Sequence, residues 1–137
     1  MLRRDFISKI IEQMVSAVAR LLKIDIEKEQ EKFLKNFDEM LDTYYQISDE
    51  ELEKLLASHD ERDAMLLDEK LKNLQLRLFI NAGLVFIGQN QIEKAKTCLK
   101  IIERIQAKHS DVFEFPSEES LKIGEDIFNL KKTLAEI

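Results

Sequence analysis

The 137-residue chain is predicted to be all-α, with five or six helices packed as antiparallel hairpins in one domain spanning residues 1–137. Three observations point there. Only 3 Gly and 1 Pro occur, too few turn-formers for the many tight loops of a sandwich or barrel. Hydrophobic residues make up 45% and charged residues 35%, the balance of a globular protein rather than a disordered or membrane-spanning one. Apolar side chains then recur at intervals of three and four along nearly the whole chain.

Residues 5–23 carry Phe6, Ile7, Ile10, Ile11, Met14, Val15, Val18, Leu21 and Leu22 on one helical face, with Lys9, Glu12, Gln13, Ser16 and Arg20 opposite. Asp5 at the start and Lys23 at the end suit the helix dipole. A second helix is predicted over Glu27–Tyr45, facing inward through Phe33, Leu34, Phe37, Met40, Leu41, Tyr44 and Tyr45. Ser48 and Glu51 form a capping box that opens a short helix to Ala57, with Leu52, Leu55 and Leu56 inward.

After the polar Ser58-His59-Asp60, a single helix is predicted from Glu61 to Ile87, its last turns apolar nearly all round and so covered on several sides. Gly88-Gln89-Asn90-Gln91 is the clearest turn in the chain. A helix over Gln91–Lys108 should bury Ile92, Ala95, Leu99, Ile102 and Ile105. A connection with Ser110, Asp111 and Pro116 follows, anchored by Phe113 and Phe115. Ser117, with Glu119 and Ser120, begins the last helix, which turns Leu121, Ile127, Phe128, Leu130 and Leu134 inward.

The net charge of -6 argues against a nucleic-acid partner, but its distribution is uneven. Residues 1–24 hold five basic and two acidic side chains, whereas residues 25–57 hold four basic and eleven acidic. The start Met1-Leu2-Arg3-Arg4 resembles the charged region of an export signal, but Asp5, Lys9, Glu12 and Arg20 interrupt what would have to be its apolar core. No apolar run approaches the ~20 residues of a membrane span. With a lone Cys98, a cytoplasmic protein is the expectation.

Chemical motifs are sparse. His59 lies among Asp60, Glu61 and Asp63 in a hydrophilic connection, and His109-Ser110-Asp111 are neighbours along the chain rather than a convergent triad. Glu50, Glu51 and Glu53, or Glu118, Glu119 and Asp126, offer oxygen ligands without the spacing of a calcium loop. Neither a phosphate-binding glycine loop nor a Glu-x-x-His pair is present. No enzyme, metal or cofactor is therefore expected.

Residues 76–108 carry the most specific pattern. Phe79, Ala82, Gly83 and Phe86 fall on one helix, Asn90 in the turn, and Ile92, Ala95, Leu99 and Ile102 on the next. This resembles one tetratricopeptide-type hairpin, in which a small residue (here Gly83) lets the helices approach, Asn90 takes the turn conformation, Ala95 keeps the spacing and bulky side chains fill the gaps. Ala82 and Ile102 depart from the family's preferences, and no proline closes the unit. The start Met1-Leu2-Arg3-Arg4-Asp5-Phe6-Ile7, with Ile11-Glu12-Gln13 and Leu21-Leu22, is similar to an uncharacterised family of short helical bacterial proteins with such hairpins. That resemblance implies a tetratricopeptide-like array and a bacterial origin, and transfers no activity.

The expected function is a protein–protein interaction or scaffold module. Its candidate surfaces are the acidic face of residues 27–53 and the groove beside the hairpin at 79–102, with a protein or peptide partner and the option of a homodimer. The alternative is a small-molecule or lipid-binding domain with an apolar pocket near Phe79, Phe86 and Phe128.

Overall fold

The computed structural model describes residues 2–109 and 116–137, with side chains from residue 5 onward. Among them every regular element is helical: α1 (Leu2–Leu21), α2 (Gln30–Met40), α3 (Asp60–Leu66), α4 (Lys72–Gly88), α5 (Ile92–Lys108) and α6 (Glu118–Ala135). A π-helical turn, Leu41–Tyr45, continues α2, and 3-10 segments run over Asp49–Leu56 and Glu69–Leu71. Phe113 and Phe115, expected to anchor the last connection, lie outside the described residues, as do Ser110 and Asp111.

α4 is the central helix. It packs against α5, α6, α1 and α2, and buries Leu76, Leu78, Phe79, Ile80, Ala82, Val85 and Phe86. Its apolar surround thus has a partner on each side, and each fully buried Leu, Ile or Phe contributes on the order of 1.5–3 kcal/mol. Phe37 of α2 is where the aromatic residues meet. It stacks on Phe33 at 5.9 Å between ring centroids and meets Phe79 and Phe86 edge-on at 5.8 and 6.1 Å.

The single helix expected over 61–87 is three elements. Leu67 leaves the α conformation (φ -101, ψ 11), and the Asp68 carboxylate accepts from Lys70 N–H at 2.8 Å to start the chain turning again. An Asp that caps locally competes with helix continuation, and here it wins. The second helix begins at Gln30 rather than Glu27, because Asp25 accepts from the Glu27 and Glu29 amides in a turn of its own. Its end widens into the π turn and stops at Gln46, which sits in the left-handed region (φ 58). The Ser48–Glu51 box forms, with Ser48 N–H donating to Glu51 Oε1 at 3.0 Å, but the helix it opens is 3-10, kinked at Glu51.

Two faces are rotated from the sequence reading. α5 buries Ala95, Cys98, Ile101, Ile102 and Ile105, leaving Ile92 and Leu99 half-buried at the rim. α6 buries Ile123, Ile127, Leu130 and Leu134, a stripe with spacing four, three, four, which turns Leu121 and Phe128 out to 62% and 65% exposure. Ser117 starts that helix as expected, in a reciprocal pair with Ser120 at 3.0 and 2.9 Å. Among the described residues no helix is long and apolar enough to cross a membrane.

Candidate binding groove

α1 uses only part of its apolar surface in the core. Ile11, Met14, Val18 and Leu21 are buried, and α1 packs against α4, α2 and the 3-10 segment Glu69–Leu71. The adjacent stripe Phe6, Ile10, Gln13, Ala17 and Arg20 keeps helical spacing of four and three, and lines two clefts instead. One cleft, about 420 Å³, lies between Ala17, Arg20, Leu21 and Ile24 on one side and Lys32, Asn36, Glu39 and Met40 on the other. The second, about 460 Å³, lies between Phe6, Ile7, Lys9, Ile10 and Gln13 and a wall of Tyr45, Gln46, His59, Arg62 and Met65. Thr43 and Tyr44 line both, so the clefts adjoin at the π turn.

The far wall is held by backbone-directed contacts. Arg62 Nε donates to the Tyr45 carbonyl at 3.1 Å, tying α3 to the end of the π turn. His59 is the N-cap of α3: its Nδ1 accepts from Arg62 N–H at 3.2 Å, and its own N–H donates to Asp63 at 3.3 Å. Asp63 is clamped from behind by Arg104, whose guanidinium spans both carboxylate oxygens at 2.8 and 3.0 Å and also donates to the Leu55 carbonyl at 3.2 Å. That clamp holds the Asp63 carboxyl below the usual carboxylate range. Under the groove, the Tyr45 hydroxyl accepts from Gln75 Nε2, both residues being buried. Burial pushes the Tyr45 phenol far above its ordinary value.

The residues singled out from sequence are distributed elsewhere. Phe79, Ala82, Phe86, Ala95 and Ile102 are core, Gly83 is buried, and Ile92 and Leu99 rim the core. Asn90 is exposed with φ 58. A Cβ on Gly83 would meet Leu130 at 3.3 Å and Cys98 at 3.7 Å, so the tightest approach there is of α6 rather than α5. Phe79 and Phe86 are fully buried while Phe128 faces outward, and none of the three lines either cleft. Beside the hairpin at 79–102 lies a cleft of about 430 Å³ between Asp49, Glu50, Leu52 and Glu53 and residues 90–94 with Thr97, bridged by Lys94 to Asp49 at 3.4 Å and Glu50 at 2.8 Å, while α6 packs on α4 and α5.

Acidic groups weighed as oxygen ligands are engaged in other contacts. Glu51 is engaged by Ser48 and Lys54, and Asp126 by Arg77 and Lys122. Among the described residues no three His, Cys, Asp or Glu side chains converge as a metal site. Cys98 is fully buried, and burial pushes its thiol pKa up, the opposite of an activated thiolate. The groove, the π turn beneath it and the buried Gln75 were all missed by the sequence reading. The one signal was a polar Gln75 between Leu74 and Leu76 in an inward-facing run.

Comparison with protein-family models, with curated proteins and with solved structures finds no match.

Proposed function

We propose that the chain is a non-enzymatic interaction module that docks a segment of a partner protein in the groove that α1 forms with α2, the π turn and α3. The observation that carries this reading is that the two clefts adjoin along one stripe of α1 left outside the core. From Phe6 to Arg20 that stripe is ~21 Å long at ~1.5 Å per residue, the length of a bound helix rather than of a metabolite. Phe6, 64% exposed at one end, supplies an aromatic contact of the kind that anchors such interfaces. The same reading keeps a bacterial cytoplasmic scaffold with α4 and α5 as a tetratricopeptide-like unit, the unit being supported by the left-handed Asn90 and the buried Ala95.

Thr43→Arg tests it. Thr43 is exposed, lies where the clefts meet, and an arginine there closes the passage without disturbing the core. Affinity capture from the native host should recover partners with the wild-type chain that the variant loses. Identical recoveries would put binding on another surface. The second reading, a pocket for a small amphiphile, is favoured by the apolar lining and the size of the Phe6–Met65 cleft, which falls within the usual ~300–1,000 Å³. Native mass spectrometry separates the two: a retained small ligand lost on Thr43→Arg supports the pocket, and a doubled mass reports a homodimer.

A further inference from the structure

We infer that the groove α1 forms with α2, the π turn and α3 takes an acidic amphipathic helix; this rests on the reading of that groove as the docking face. The chain as a whole is acidic, with a net charge of -6. Its groove is not: Lys9, Arg20, Lys32 and Arg62 line it against Glu39 and Glu61. Elsewhere some cations tie distant elements together, as Arg77 does to Asp126, Arg104 to Asp63, and Lys94 to Asp49 and Glu50, while Lys54 and Lys96 pair locally with Glu51 and Glu93.

Of the groove cations, Arg62 ties α3 to the π turn, whereas two others make only local contacts. Lys32 pairs at 3.3 Å with Glu29, one turn away, and remains 61% exposed. Arg20 Nε reaches back at 3.4 Å to the Ser16 carbonyl of its own helix. Neither contact joins α1 to α2, so the positive charge along the groove is not explained by holding the two helices together. Such weak, exposed pairs contribute little to stability and are readily exchanged for a better partner.

Placement fits the same occupant. Arg20 of α1 and Lys32 of α2 line one cleft, and Lys9 of α1 and Arg62 of α3 the other, so each cleft carries cations from two elements. Between them Phe6, Ile10, Met40 and Tyr44 offer apolar surface for side chains at i, i+3 or i+4, and i+7 of a docked helix. Asp and Glu on the flanks of that helix would meet those cations, which steers encounter and fixes orientation.

The test is selection of helical peptides from a display library in which one apolar pattern carries acidic, neutral or basic flanks. The bait is the full chain, as wild type, as Thr43→Arg, and as Lys9→Glu/Arg20→Glu, each checked for helicity by circular dichroism. Gln13→Arg, on the opposite wall and also exposed, is the second block should Thr43→Arg lose its fold. The expected result is enrichment of Asp- and Glu-flanked peptides. Their affinity should fall ~10-fold or more on the double charge reversal and also at high salt, as screened ion pairs do. Loss on Thr43→Arg shows closure of the groove, since that variant adds bulk without removing positive charge. Peptides enriched whatever their flanks, yet lost on Thr43→Arg, overturn the acidic preference and leave the groove standing. Enrichment that Thr43→Arg and Gln13→Arg leave untouched, or no enrichment from any flank class, overturns both the preference and the docking reading.

Discussion

Arg104 and Asp63, 41 residues apart in sequence, meet in a two-pronged ion pair that joins the C-terminal part of α5 to the first turn of α3. Both side chains are roughly four-fifths shielded from water, and the same guanidinium holds the Leu55 carbonyl. Removing it with Arg104→Ala should cost about 1–3 kcal/mol, because a charged hydrogen-bonding partner is left in a partly desolvated place. Arg104→Lys should recover only part, since one ammonium cannot span both oxygens. Urea unfolding of the two variants checks this. Equal stability of Arg104→Ala and wild type would mean the pair contributes nothing.

The same pair sets a pH dependence. Asp63 holds its proton less tightly in the folded protein than in the unfolded chain, chiefly through the Arg104 hydrogen bonds. Its contribution to stability is therefore complete above the ordinary carboxylate range, and is lost as pH falls through the lowered native value. Wild type should lose stability more steeply on acidification than Arg104→Ala does. Parallel curves for the two proteins would overturn that assignment.

Tyr45 and Gln75 form a buried polar pair in which Gln75 Oε1 has no hydrogen-bond partner among the described residues. Tyr45→Phe should destabilise by about 1–3 kcal/mol by stripping the amide of its remaining contact. Adding Gln75→Leu should restore much of the loss, as replacing both partners by apolar groups removes the unmet polar atoms. A double-mutant cycle in denaturant measures the coupling, and simple additivity would mean the two side chains do not act as a pair.

The glycines of α4 and α6 should respond in opposite ways. Nothing among the described residues lies within 4 Å of where a Cβ on Gly124 would sit, so Gly124→Ala should gain about 0.5–1 kcal/mol from helix propensity. Gly83→Leu drives a large side chain into Leu130 and Cys98, and should cost about 1–3 kcal/mol by overpacking, with α6 displaced before α5. Thermal unfolding reads both. An unchanged melting temperature for Gly83→Leu would remove Gly83 from any close helix contact.

What was legible in the sequence follows from periodicity and capping. The stripes of α1 and α2, the Ser48 and Ser117 starts, and the Asn90 turn can be read because each depends on neighbours within one helical turn. The faces of α5 and α6 shifted because a period of 3.6 fixes a stripe but not its centre. Which of Leu121 and Ile123 points inward depends on where α4 and α5 lie, and that is tertiary information. The break at Leu67–Asp68 was hidden in an unbroken helical pattern, since Asp is an ordinary residue on an exposed helix face. The groove was illegible for a related reason. Phe6, Ile10, Gln13, Ala17 and Arg20 mix apolar and polar types and form a surface only once the π turn stands opposite.

The π turn also determines how the chain tolerates changes in length. Within an ordinary helix, one residue added or removed rotates everything beyond it by about 100°, which misplaces every buried side chain downstream. Leu41–Tyr45 already holds one residue more than an α turn would. A deletion there can close into regular helix while both ends stay where they are, at the expense of the aim of Tyr45 toward Gln75. Length variation that would break α2 elsewhere is absorbed at this point, and its effect falls on the floor of the groove rather than on the core.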